Sequence, residues 1–278
     1  MFFPFHDENP IERTPFVTVA IIVINVAVLI YTMSLGAPNR DDRKLRQFIY
    51  TNGFIPARIE QITDHKPMDF DMYRNDPRPI PAAARKIRLQ PNTGEIIQSA
   101  FTAMFIHAGW IHLISNMWFF WIFGNNIEDR LGHLLFLLFY LGGGIIATAC
   151  HTFVTFAAKG PAEFDPVVGA SGAVAVTLGA YAVFYPFAKV KTLIFIIIFF
   201  TVVEIPALVV LGIWFAGQVF SGMQQFEPGV GAHVAWWAHI GGFAVGAVLM
   251  PLLAAATPGH ASGWNRRELP DRLPNDYF

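Results

Sequence analysis

Charge is what this chain has least of. Asp, Glu, Lys and Arg make up 14% of its 278 residues, against about 25% in a soluble globular domain. Hydrophobic residues make up 54%, and the mean hydropathy is +0.44. Those figures exclude an ordinary water-soluble domain and point to a membrane. The formal net charge of -1 offers no basic field for a nucleic-acid partner. The single cysteine, Cys150, excludes an internal disulfide. It has no metal-ligand spacing around it and sits in an apolar run as a packing residue. No metal and no cofactor is expected. The opening stretch, MFFPFHDENP, lacks the basic region and small-residue cleavage site of a signal peptide. The first apolar segment is therefore expected to stay as an anchor. There is neither an internal repeat nor a low-complexity tract.

What is present is a series of long apolar runs. A helix needs roughly 20 apolar residues to cross about 30 Å of hydrocarbon. Runs of suitable length fall at residues 16–35, 110–123 (extended upstream by 100–106), 133–156, 167–185 and 231–256. A fifth membrane helix, between the last two of these, is placed at 206–220. The β-branched run before it, 192–203, either lies at the interface or starts that helix early. The fold class expected is all-α, a polytopic bundle of six transmembrane helices. The domains are an N-terminus (1–15), a first membrane helix (16–35), a loop (36–99), a core with helices two to six (100–256) and a polar, disordered tail (257–278). The loop holds eleven Lys or Arg and seven prolines and reads as irregular, with room for short helices. With the N-terminus inside, the inner pieces carry Arg13, Arg130, Lys189, Lys191, Arg266, Arg267 and Arg272, and the short outer loops carry Lys159. That asymmetry favours both termini inside, since long loops escape the positive-inside bias.

This orientation makes helices two, four and six run inward, each with unusual polar residues near its outer end. Ser171 lies in Gly169-Ala170-Ser171-Gly172, and His239 begins a face continued by Gly242 and Gly246. Small residues around Ser171 also suit close helix packing, with serine serving only as interhelical glue. An intramembrane histidine, however, points to function by default. If the glycine face of helix six meets the small face of helix four, His239 comes within reach of Ser171. A serine hydroxyl needs such a base to act as a nucleophile. His112 and Asn116, spaced i and i+4, share one face of helix two and can donate to an oxyanion together with the Ser171 backbone N–H; the bland reading is helix-to-helix hydrogen bonding. No carboxylate evidently orients His239, so the pair reads as a dyad. Glu128 and Arg130 read as structural, fixing a loop. Trp110, Trp236 and Trp237 fit interfacial anchors, and Glu204 fits a helix boundary.

The chain resembles the rhomboid family of intramembrane serine proteases, in its bacterial six-helix form. The resemblance rests on His107-Ala108-Gly109-Trp110-Ile111-His112-Leu113-Ile114-Ser115-Asn116, on 124–132 with Glu128 and Arg130, on Gly169-Ala170-Ser171-Gly172, and on Ala238-His239-Ile240-Gly241-Gly242 with Gly246. It implies Ser171 as nucleophile, His239 as base, His112 and Asn116 at the oxyanion, Glu128 with Arg130 bracing the first loop, and His107 as structural. It also implies single-pass transmembrane proteins as substrates, cut from within the lipid bilayer of a bacterial inner membrane. Some members carry a tyrosine one turn after the serine, under the catalytic histidine. Here that residue is Ala175, so the support for the His239 ring is left open. Trp214 and Phe215 on helix five are the expected gate for lateral substrate entry. A catalytically silent, client-binding relative is the alternative. A transporter would place its polar residues at mid-depth. No His-Glu-x-x-His string or intramembrane aspartate pair suggests another protease type. Nothing in the sequence specifies an oligomeric state.

Overall fold

The computed structural model describes residues 2–36, 42–73, 76, 79–196, 199–225 and 234–256. The expected tail, 257–278, lies outside the described residues. The elements are β1 (Phe2–Asp7), α1 (Phe16–Leu35), α2 (Arg43–Asn52), α3 (Glu60–Asp64), β2 (Met68–Asp71), α4 (Ala82–Arg85), β3 (Lys86–Leu89), α5 (Thr93–Thr102), α6 (Trp110–Leu131), α7 (His133–Ala158), α8 (Ser171–Phe184), β4 (Lys189–Ile196), β5 (Phe199–Pro206), α9 (Ala207–Gln224) and α10 (Trp236–Ala256). The protein is a polytopic helical membrane bundle of α1 and α6–α10. Helices α1, α7, α9 and α10 are each long and apolar enough to cross a bilayer alone. The upstream stretch 100–106 does not continue α6 in a straight line: the helical segment ending at Phe105 meets α6 at 82°.

Helix α8 is the hub. It has 14 residues, and 173–182 are all buried. Glycines let its neighbour come close: Gly242 and Gly246 of α10 lie against the backbone of α8 at Gly172 and Val176, and Gly179 lies against Phe243. A side chain at any of the three would collide with backbone. The helix starts at Ser171 rather than near 167, because Val167 is held in an isolated bridge with Phe54. Their amides and carbonyls exchange bonds of 3.1 and 2.7 Å.

Two regions are more ordered than the sequence suggests. The described residues of 42–73, 76 and 79–102 form a small folded unit on the Ser171 end, with Tyr50, Ile55, Phe70, Met72, Tyr73 and Leu89 in its own core. Strands β2 and β3 pair antiparallel. Arg58, 1% exposed, donates to Gln61 Oε1 at 3.0 Å, and Gln61 in turn donates to the Leu89 carbonyl at 3.0 Å. The unit reaches the α7–α8 connection through Phe70 and Phe164, 6.5 Å apart. The second region is the run 192–203. It does not start α9; its described residues form the antiparallel pair β4–β5, to which β1 adds, giving a sheet in the order β1-β4-β5. Branched and aromatic side chains favour extended backbone, and Pro206 ends the strand where it opens α9.

Candidate active site

The N-terminal ends of α6, α8 and α10 meet α9 around one cavity of about 920 Å³. His112, Asn116, Ser171, Trp214, Gln218 and His239 line it. Ser171 is the first residue of α8. The opening turn of a helix leaves its N–H groups without partners inside the helix, so the Ser171 amide is free of the ladder. Gly169 adopts a φ of +123°, in the region that favours glycine. A Cβ there would also lie 2.8 Å from the His112 ring and 3.7 Å from Ser171 Oγ. Glycine thus allows the turn and brings His112 beside the serine.

Each histidine has a defined neighbour. The Ala108 amide donates to His112 Nδ1 at 3.4 Å, which leaves Nε2 as the protonated nitrogen. His107 accepts from the Ala170 amide at 3.4 Å and packs edge-on to His112, ring centroids 4.9 Å apart. It therefore holds the turn just before Ser171. Asn116 Nδ2 donates one hydrogen to the His112 carbonyl at 2.9 Å and retains the other.

His239 is 8% exposed. Its Nδ1 lies 2.7 Å from Gln218 Oε1, and Gln218 Nε2 donates to the Trp214 carbonyl at 3.4 Å. With the amide nitrogen spent as donor, the amide oxygen must accept. Nδ1 then carries the proton, and Nε2 is the basic nitrogen. Trp214 and Trp236 flank the ring at 6.1 and 5.9 Å. Ala175 instead packs on α10 at Gly242. Ser171 and His239 share the cavity without a hydrogen bond between them in this geometry. Gln218 went unread in the sequence, although a polar residue inside an apolar helix was a usable signal.

The remaining expected residues lie elsewhere. Gly242 and Gly246 sit at the α8–α10 contact. Glu128 does not brace the first loop: it lies at the opposite end of α6. It accepts from the Val17 and Thr18 amides at 2.8 and 2.7 Å, and contacts His133 at 2.6 Å. It therefore caps α1, supplying the acceptors that the first turn of a helix lacks. Arg130 donates to the Ala254 carbonyl at 3.0 Å, tying α6 to the end of α10. Trp214 stands between α9 and α6, 6.5 Å from the Phe119 ring. Phe215 does not face α6; it stacks on Phe243 of α10 at 4.6 Å.

The fold and cavity define the class: a polytopic helical membrane protein in which a serine and a histidine line one cavity of about 920 Å³. Residues 94–256, more than half of the chain, match the Rhomboid domain; the chain belongs to the rhomboid family. It is 33% identical over 166 residues to the mitochondrial presenilin-associated rhomboid-like protein A of Danio rerio, and 28% identical over 165 residues to the corresponding Homo sapiens protein. Each match covers 59% of this chain and 38% of the relative, so the chain spans well under half the length of these two. YdcA of Bacillus subtilis (strain 168), which carries a provisional name as a rhomboid protease, is 39% identical over 80 residues, 29% of this chain and 37% of its own.

Proposed function

We propose that this protein is an intramembrane serine endopeptidase acting on single-pass membrane proteins. The observation that carries the reading is the gathering of Ser171, His112, Asn116 and a Gln218-held His239 around one cavity. Ser171 Oγ attacks the scissile carbonyl while His239 Nε2 takes its proton. The Ser171 amide, His112 Nε2–H and the second hydrogen of Asn116 Nδ2 stabilise the oxyanion. His239 then gives the proton to the leaving amine, and water hydrolyses the acyl-enzyme by the reverse sequence. Gln218 fixes the tautomer, the part an aspartate plays in a triad. The missing Ser171–His239 bond fits a resting site, since such bonds often tighten only with substrate.

In this reading Ser171 opens to the outer side of a bacterial inner membrane, the unit within 36–99 lies outside, and both termini lie inside. Substrate enters from lipid between α6 and α9, past the Trp214–Phe119 contact. The test is cleavage of a single-pass model substrate by purified protein in liposomes. Cleavage is expected from wild type and none from Ser171→Ala or His239→Ala. The same bond specificity in Ser171→Ala would end the serine mechanism. The unbonded Ser171–His239 pair is also what a silent client-binding relative would show. Covalent labelling of Ser171 by a fluorophosphonate separates the two.

A further inference from the structure

The three-stranded sheet is segregated along its strands rather than across its faces. Its ionisable residues sit at one end: His6 and Asp7 on β1, Lys189 and Lys191 on β4, Glu204 on β5. Lys189 pairs with Glu204 at 2.9 Å and Lys191 with Glu8 at 3.1 Å. From 192 to 203, and from 2 to 5, there is no charge at all. Such a pattern suits a blade whose foot is wet and whose body is in hydrocarbon.

The contacts of β1 set the depth. Asn126 donates to Asp7 at 2.7 Å, while Trp118 donates to the Pro4 carbonyl at 2.8 Å and its ring lies 5.1 Å from Phe3. The strand therefore climbs α6 from its Glu128 end. Glu128 binds the first turn of α1 and so marks the membrane boundary on that side. Trp118 lies ten residues further along α6, about 15 Å at 1.5 Å per residue, half of a hydrocarbon core of about 30 Å. Tyr181 bonds Asp7 at 2.7 Å. Ser171 is ten residues up α8 from there, again about 15 Å. From Val190 to Ile196 β4 rises roughly 20 Å. The blade thus reaches the level of Ser171.

One edge of the sheet, β1, rests on α6; β4 and β5 meet α9. Among the described residues, β5 pairs with β4 and with no strand on its other side. Phe200 is 73% exposed and Val202 52%. Hydrocarbon cannot satisfy the N–H and C=O groups of an open edge. Lipid is therefore the wrong occupant, and an extended polypeptide is the right one. Resting on the protease reading above, we infer that the free edge of β5 receives an unwound stretch of the substrate's membrane segment as a fourth strand. Main-chain bonds give binding without reading side chains. The site selects apolar segments with weak helix propensity, and charge or a stable helix there excludes them.

Photocross-linking tests this. The full chain carries Ser171→Ala, to trap substrate, and p-benzoylphenylalanine at Thr201 of β5, with Ile30 of α1 as the control position. It is reconstituted with a single-pass model substrate. An adduct from Thr201 and none from Ile30 is expected. An adduct with a second copy alone, equal adducts from both positions, or none would overturn the inference. A second measurement uses Thr201→Pro and Val202→Pro with an intact serine. Adjacent strand residues point their amides to opposite sides, so one of the two removes an outward N–H. For that variant, the cleavage ratio of embedded substrate to soluble peptide should fall roughly tenfold; an unchanged ratio in both variants would overturn the inference. Cross-linking is read without catalysis, so an adduct from Thr201 together with no cleavage by the protein that retains Ser171 would sink the protease reading and leave strand docking standing.

Discussion

Gln218 and His239 lie on different helices, α9 and α10, and their 2.7 Å contact decides which ring nitrogen is basic. Gln218→Met keeps the length and loses the acceptor. The expected result is a kcat about 10–100-fold lower with KM little changed, because the lost interaction orients the base rather than binding substrate. Gln218→Glu restores an acceptor and places a negative charge at Nδ1, which favours the protonated ring. Its pH–rate profile should rise at higher pH than that of wild type. A merely structural residue would lower activity in both variants without moving the profile. Asn116→Ala removes one of three oxyanion donors and should cost less than Ser171→Ala, on the order of 10²-fold. At this scale much of the site was legible. Ser171, His239, His112 and Asn116 are polar groups in apolar helices, and polarity in lipid is itself a signal. Gln218 carries the same signal, but its partner is set by helix packing that no local pattern encodes. The capping role of Glu128 was hidden for the same reason, since the amides that donate to it lie more than a hundred residues away in sequence.

Among the elements, α9 is the one built to yield. Between Ala207 and Gln224 only Ala207, Val210, Leu211 and Gly222 are buried, whereas α8 is enclosed on all sides. A disulfide between Phe119→Cys and Trp214→Cys is expected to suppress cleavage of membrane-embedded substrate on oxidation and to restore it on reduction. Equal rates in both states would rule out entry between α6 and α9. On α10 the opposite demand holds. Gly242→Val forces a side chain into the Gly172 carbonyl, so activity and thermal stability should fall together; a fully active variant would contradict this packing. The membrane helices were readable because their length follows from bilayer thickness. The β4–β5 pair was not, since a continuous apolar run has neither the helical nor the strand period. The start of α8 was placed four residues early because Val167 is bound by Phe54, a contact across more than a hundred residues.

Across the whole molecule, the N-terminus closes the bundle at the Glu128 end. Asp7 on β1 accepts from Asn126 of α6 and Tyr181 of α8, both at 2.7 Å, while Trp118 holds Pro4. Composition alone places residues 2–7 in a tail; their strand partner, β4, lies some 180 residues downstream, beyond any local signal. Burial is the largest influence on the Asp7 carboxyl and pushes it up from 3.8 to about 6; the Tyr181 and Asn126 bonds and His6 pull the other way. The folded protein therefore holds this proton more tightly than the unfolded chain. Its stabilising contribution is complete below about pH 4 and is lost as pH rises through about 6. A shift of about two units corresponds to roughly 3 kcal/mol, and Asp7 is 6% exposed, so solvent screening removes little of it. Asp7→Asn keeps an oxygen for both donors and cannot ionise. Its thermal midpoint should exceed that of wild type at pH 7.5, and the two should converge only below about pH 4. Parallel curves across that range would mean that Asp7 ionises alike in the folded and unfolded chain, and that burial does not shift its carboxyl.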